Sequence, residues 1–201
     1  MFLAINIFDR YLSIKNINSN DLQLLGLGSL CIACKYEEIY APEIRDYKFI
    51  SDNTYSSERI LKMEYDILVA LDFDILHVSP LIFLKRFHVI SQGAFKSLYL
   101  AQFILEISLL EFNTMVYPSS VKAASCLFIS RTLLQCIEIW PDELIACSGY
   151  TVEDMEDCVT KFYEIIKLVP NLTLISTKKK YADKKYFEIS KEYCAKFKKG
   201  F

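Results

Sequence analysis

Between Leu22 and Cys34 the chain reads LQLLGLGSLCIAC, a run in which every residue except Gln23 is apolar or small. A helix of that makeup has almost no face suited to water, so it belongs at the centre of a helical domain. Gly26, Gly28, Ser29, Cys31, Ala33 and Cys34 keep its surface thin, which lets neighbouring helices come close. Ser19-Asn20-Asp21 supplies a helix start, the helix is expected to run to about Ile39, and Pro42 stops it. Charge arrives only at the exit, in Lys35, Glu37 and Glu38. An ammonium at the exit of a buried helix must reach water or be held by carboxylates and carbonyls, so Lys35 is either a snorkelling residue or a recognition residue.

The rest of the chain supports an all-α reading. Five glycines and five prolines in 201 residues, with apolar residues at helical spacing, favour helix over sheet. Leu3, Ile7, Phe8 and Tyr11 share one stripe of a helix that begins at Met1 with no capping lead-in. Thr54 or Ser56 caps the next helix after the corner, with Ile60, Leu61, Ile67, Leu68 and Leu71 as its core stripe. Ser79-Pro80 starts another, with Gly93 near its end. Leu98 to Leu110 reads as amphipathic. Val121 to Thr132, with Ala123, Ala124, Ser125, Cys126 and Ser130, is a second small-residue helix, placed where the centre of a second bundle falls. Pro141 begins a short helix, Thr151 with Asp154 forms a capping-box pattern, and Pro170 closes the last long helix.

Composition excludes several functions. The total charge is −2, but residues 178–201 carry nine lysines against Asp183, Glu188 and Glu192, a balance of +6 that leaves the body at −8. An acidic body is no footprint for nucleic acid, and the lysine-rich end reads as a solvated tail. No apolar run reaches the ~18 residues of a membrane span, so neither nucleic acid nor membrane is expected as a partner. Seven scattered cysteines read as buried free thiols of a reducing compartment. Cys31 and Cys34 form a CxxC inside a helix with no second pair and no nearby histidine, which is poor material for zinc. His77 and His88 are too few for a histidine-based metal site or triad, and adjacent Glu37 and Glu38 point about 100° apart on a helix. Catalysis and cofactors are not expected.

KYEEIYAPEI (Lys35 to Ile44), DRYLS (Asp9 to Ser13), SDNTY (Ser51 to Tyr55) and KMEYDILVALDFDI (Lys62 to Ile75) together resemble the cyclin box of mitotic A- and B-type cyclins, and the resemblance continues to about Ser190. The DNTY run and PLIFLKRF (Pro80 to Phe87) lean toward the B-type. The resemblance implies two tandem helical bundles, 1–92 and 93–177, followed by the tail 178–201. The first bundle would lack its opening helix, which in the family carries part of a substrate-docking surface. Cyclins are regulatory subunits of serine/threonine kinases, so the implied partner is a cyclin-dependent kinase catalytic subunit, in control of the G2/M transition. Presence in nucleus and cytoplasm follows from the family alone.

The resemblance also assigns residues. Lys35 and Glu64 match positions that hydrogen-bond to the kinase around its C-helix, and Tyr36, Leu68, Phe73 and Ile75 match apolar positions that accept that helix. Leu22, Gln23 and Ile50 are the matching remnant of the substrate-docking groove, so docking of substrate proteins through short motifs is expected to be weakened. Asp9 matches an aspartate whose arginine partner lies in the missing helix, and it is expected to turn to Lys35. Without that helix an apolar groove is expected along Leu3, Ile7 and the buried helix. Two other readings fit a cyclin-like sequence: a transcription or nucleic-acid-associated relative, and a shortened cyclin unable to activate a kinase.

Overall fold

The computed structural model describes residues 1–171 and 176–199, and every regular element among them is helical. The chain divides into two units, Met1–His77 and Val78–Phe201. The helix that follows Ser79 therefore belongs to the second unit, whereas the sequence reading placed it in the first.

The first unit contains α1 (Phe2–Ile14), α2 (Leu22–Glu37), α3 (Ile44–Ile50) and α4 (Ser57–Ala70). The central helix is α2, packed against α1 and α4, with α3 on α4. Gly28 sets how closely α2 and α4 meet. A Cβ there would stand 2.9 Å from both Met63 Cγ and Ile67 Cδ1, so only glycine allows this approach without a shift. Two clusters form the core. One joins Leu3, Ile7, Leu25, Ile32 and Ile67; the other joins Leu24, Leu27, Cys31, Tyr47, Tyr55 and Ile60. Each fully buried aliphatic side chain contributes about 1.5–3 kcal/mol.

Four expectations change here. Burial of α2 holds from Leu24 to Ala33 but fails in its first turn, where Leu22 and Gln23 are exposed. The helix ends at Glu37, and Ile39 and Tyr40 stand in water. Leu61 is exposed rather than core, and Leu68 only partly buried. The groove expected along Leu3 and Ile7 is not open at those residues: both are buried among Leu25, Ile32, Ile67 and Leu71, so α1 spends its stripe on α2 and α4.

The second unit contains α5 (Pro80–Ile90), α6 (Phe95–Ser108), α7 (Ser119–Leu133), α8 (Asp142–Ser148), α9 (Val152–Leu168), α10 (Ser176–Lys180) and α11 (Ile189–Lys199). Its centre is α7, which meets α5, α6 and α9, with Ala123, Ala124, Ser125 and Cys126 buried as the small-residue pattern implies. Ser79 caps α5 with Pro80 in its first turn, and Thr151 and Asp154 make the reciprocal capping bonds of α9. The helix read as amphipathic over Leu98–Leu110 starts at Phe95 and is buried over most of its surface.

The tail also departs from expectation. Tyr181, Ile189, Tyr193 and Phe197 are buried, and α11 packs on α6 and α9. Residues 189, 193 and 197 repeat at helical spacing, an apolar stripe that the lysine count obscured. Lys180 and the Tyr181 hydroxyl both meet Glu106 of α6, which fixes the segment's start. Residues 200–201 and the side chains of 198–199 lie outside the described residues.

Candidate functional site

The exit of α2 and the outer face of α4 together form the most chemically distinctive surface of the first unit. Lys35, in the last turn of α2, donates to both oxygens of Glu64 on α4, at 2.6 and 2.8 Å. The pair is asymmetric: the Lys35 side chain is 50% exposed, that of Glu64 only 11%. A nearly buried carboxylate is therefore neutralised by an ammonium that still faces water. Glu64 supplies the carboxylate that meets Lys35.

The Cys31 thiol completes the group. Burial first, and then the charge of Glu64, push this thiol up to about 11, so it stays protonated beneath the pair. For Lys35, burial works against the charge, but its bond to Glu64 and its contact with Cys31 outweigh that, and its pKa is raised. Lys35 thus stays charged in a setting where charge must be matched by hydrogen bonds.

Exposed apolar residues occur on the same two helices and just past the end of α4. Tyr36 is exposed next to Lys35, and Phe73, past the end of α4, is 63% exposed. Leu68 and Ile75 are partly buried against the first core cluster. Phe73 is held by a tight turn: its amide bonds to the Leu68 carbonyl at 2.8 Å and that of Asp72 to Val69 at 3.2 Å. Both residues sit at positive φ, 54° for Asp72 and 58° for Phe73. A bulky residue in the left-handed region is strained, and here that conformation presents the ring outward. This is a Schellman ending built without glycine.

Sequence reasoning missed part of this surface. Leu61, Tyr65 and Val69 of α4 are exposed too. With Leu68 they occupy i, i+4, i+7 and i+8, the arc beside the core positions Ile60, Glu64, Ile67 and Leu71. The signal was available: α4 is apolar over a wider arc than one core face requires. The mutual pairing of Lys35 and Glu64 was likewise missed, since 29 residues separate them.

The other expected set is looser. Leu22 and Ile50 are exposed, on different helices. Gln23 accepts from the Tyr55 hydroxyl at 3.3 Å, which belongs to a local cluster where Arg59 lies over the Tyr55 ring and pairs with Asp21. The DNTY run forms the turn after α3, with Asp52 and Asn53 at positive φ and Tyr55 buried.

Comparison with known proteins agrees with this layout. Residues 1–76 match the family described as cyclin, N-terminal domain, and residues 78–195 match cyclin, C-terminal domain. Cyclin-A1-1 of Oryza sativa subsp. japonica is 36% identical over 200 residues, covering 96% of this chain and 39% of that protein. The G2/mitotic-specific cyclin S13-7 of Glycine max is 33% identical over 183 residues, covering 91% of this chain and 71% of that protein. The chain thus spans about two fifths of the length of the rice relative. Among solved structures, a viral cyclin from herpesvirus saimiri superimposes with a TM-score of 0.64 at 20% identity, over 80% of this chain and 75% of that one. The fold, the match of both domain models along nearly the whole chain and the identity to curated relatives lead to one conclusion: the chain belongs to the cyclin family.

Proposed function

We propose that this chain is a regulatory subunit that binds and activates a cyclin-dependent serine/threonine kinase in mitotic control, at the G2/M transition, and does no chemistry of its own. One observation carries the reading: a nearly buried Glu64 neutralised by a half-exposed Lys35, in a unit that also leaves Tyr36 beside Lys35, Leu61 and Tyr65 on α4, and Phe73 past its end exposed. A surface of this kind has the anatomy of an interface core, with charge-assisted hydrogen bonds to set register and aromatic anchors to supply buried area. The half-exposed Lys35 ammonium, bonded to Glu64 and in contact with Cys31, is placed to exchange that contact for carbonyls of a docked helix. By binding the inward position of the kinase C-helix better than the outward one, the surface shifts the kinase toward its assembled Lys–Glu ion pair.

The lean toward the B-type rests on the DNTY and PLIFLKRF runs, while the relatives above are named as A-type and G2/mitotic-specific. Docking of substrates through Leu22, Gln23 and Ile50 belongs to the proposal as a weakened remnant. So does presence in nucleus and cytoplasm, to be checked by imaging a fluorescent fusion.

The test is co-purification of the chain with a cyclin-dependent kinase catalytic subunit, beside Lys35→Glu, Glu64→Lys and the double exchange. The single exchanges place like charges together and should abolish the complex. The double exchange restores the internal pair but presents the wrong charges to the partner, so it should refold and still not bind. Recovery of binding in the double exchange would show that the pair acts only on this chain's own stability.

A further inference from the structure

The second unit contains a groove that the proposed kinase contact does not use. It lies between α7 and α9, has a volume of about 350 Å³, and is lined by Phe128, Val152, Glu153, Glu156, Val159, Thr160 and Tyr163. Six of these seven fall on α9 at i, i+1, i+4, i+7, i+8 and i+11, a continuous stripe about 16 Å long. Its floor is apolar. Val159 is buried, Phe128 and Tyr163 are half-buried, and Val152 is exposed at the mouth.

The rim is anionic at one end. Glu153 and Glu156 stand one helical turn apart, and neither has an ion-pair partner among the described residues. Neighbouring acids on α9 are engaged: Asp154 closes the capping box, Asp157 accepts from the Tyr117 hydroxyl, and Glu164 pairs with Lys161. The two carboxylates of α9 that line the groove thus carry charge unmatched by any cation: Glu153 is held by its own amide and by Thr151, and Glu156 has no ion pair among the described residues. No lysine or arginine lines it.

We propose that this groove docks a basic, apolar segment of a protein partner: two cationic residues, preferably arginine, against Glu153 and Glu156, with a large apolar side chain over Phe128, Val159 and Tyr163. Charge selects the occupant. Nucleic acid and anionic membrane are repelled by the rim, while a guanidinium matches a carboxylate in two-point geometry and keeps an apolar stem for the walls. The volume is at the lower end of ligand-pocket size, enough for one apolar anchor rather than a long helix. The proposal is independent of the kinase contact, which uses residues of the first unit.

The test uses fluorescently labelled octapeptides of defined sequence: one with two adjacent arginines and a phenylalanine two residues on, one with glutamates for the arginines, and one with alanine for the phenylalanine. Anisotropy titrations of the whole chain at about 0.15 M salt should show binding by the first alone. In Glu153→Gln/Glu156→Gln, whose side chains are exposed and which is first shown by its unfolding curve to be folded, that affinity should drop about tenfold. Lys35→Glu should leave it unchanged, which separates this site from the kinase face. Failure of the arginine–phenylalanine peptide to bind, equal binding of the alanine peptide, or unaltered binding by the double Gln variant would each overturn the proposal.

Discussion

The two units each carry a small-residue helix at their centre, and the two helices end in opposite ways. At the exit of α2 the basic residue is Lys35, half-exposed and bonded to one buried carboxylate. At the exit of α7 it is Arg131, 6% exposed, which donates to three backbone carbonyls: Ile139 at 2.9 Å, Glu138 at 2.6 Å and Ser91 at 3.3 Å. One exit keeps its charge at the surface beside uncovered aromatic residues. The other turns its charge inward to hold the ends of α5 and the loop after α7. The same helix type thus yields a candidate binding surface in one unit and a structural clamp in the other, and the choice is made by one residue and what stands opposite it.

The largest expected effect breaks the clamp. Arg131→Met leaves three carbonyls to find new partners, at about 1–3 kcal/mol for each that stays buried and unsatisfied, and so up to about 3–9 kcal/mol if all three do. Denaturant unfolding of the second unit should reveal it, with affinity for a kinase partner unaltered in protein that remains folded. A variant as stable as wild type would mean the clamp is ornamental.

Next is Glu64→Gln, which keeps the shape but removes the charge that Lys35 neutralises. A loss of about 1–2 kcal/mol is expected for the first unit, together with weakened kinase binding, because Lys35 is no longer held in place. A double-mutant cycle with Lys35→Met measures the coupling directly. Additive effects would show that the two side chains are neighbours without an energetic bond.

Phe73→Gly separates stability from function. Glycine relieves the left-handed strain, so the first unit should gain up to about 1 kcal/mol, read as a raised melting temperature, while kinase affinity falls at least tenfold for loss of an aromatic anchor. A rise in both would remove Phe73 from the binding surface.

The smallest effect concerns the surroundings of Arg131. His88 is buried with Nδ1 unsatisfied, its ring near that of Phe95, and burial first, then the Arg131 charge, hold its pKa below the ordinary 6.5. A group depressed in the folded state leaves stability complete above pH 6.5 and lowers it as pH falls toward the folded value. Stability of the second unit, read from its unfolding, should weaken on that acid side, and His88→Phe should flatten this part of the profile.

The centres of both bundles were legible because small, apolar residues leave a helix no other place to go. The helix ends were harder. With five glycines in the chain, α3, α4 and α7 stop instead at Asp52, Asp72 and Gln135, each at positive φ, and a side chain able to continue a helix gives no stop signal. Lys35, Tyr36, Leu68, Phe73 and Ile75 could be assigned only through resemblance, since apolar residues at the end of a helix are equally at home in a core. That Phe73 faces water follows from the turn geometry, and that Glu64 is buried follows from Lys35 above it. Neither is written in local pattern. The tail was misread for a related reason: counting nine lysines hid the spacing of Ile189, Tyr193 and Phe197 between them.

The most direct measurement is phosphoryl transfer by a cyclin-dependent kinase catalytic subunit alone, with the wild-type chain, and with a Lys35→Glu variant shown by its unfolding curve to be folded. Stimulation by the wild type and none by the variant is the result this account predicts. Equal stimulation by both, or none by a folded wild-type chain, would contradict it.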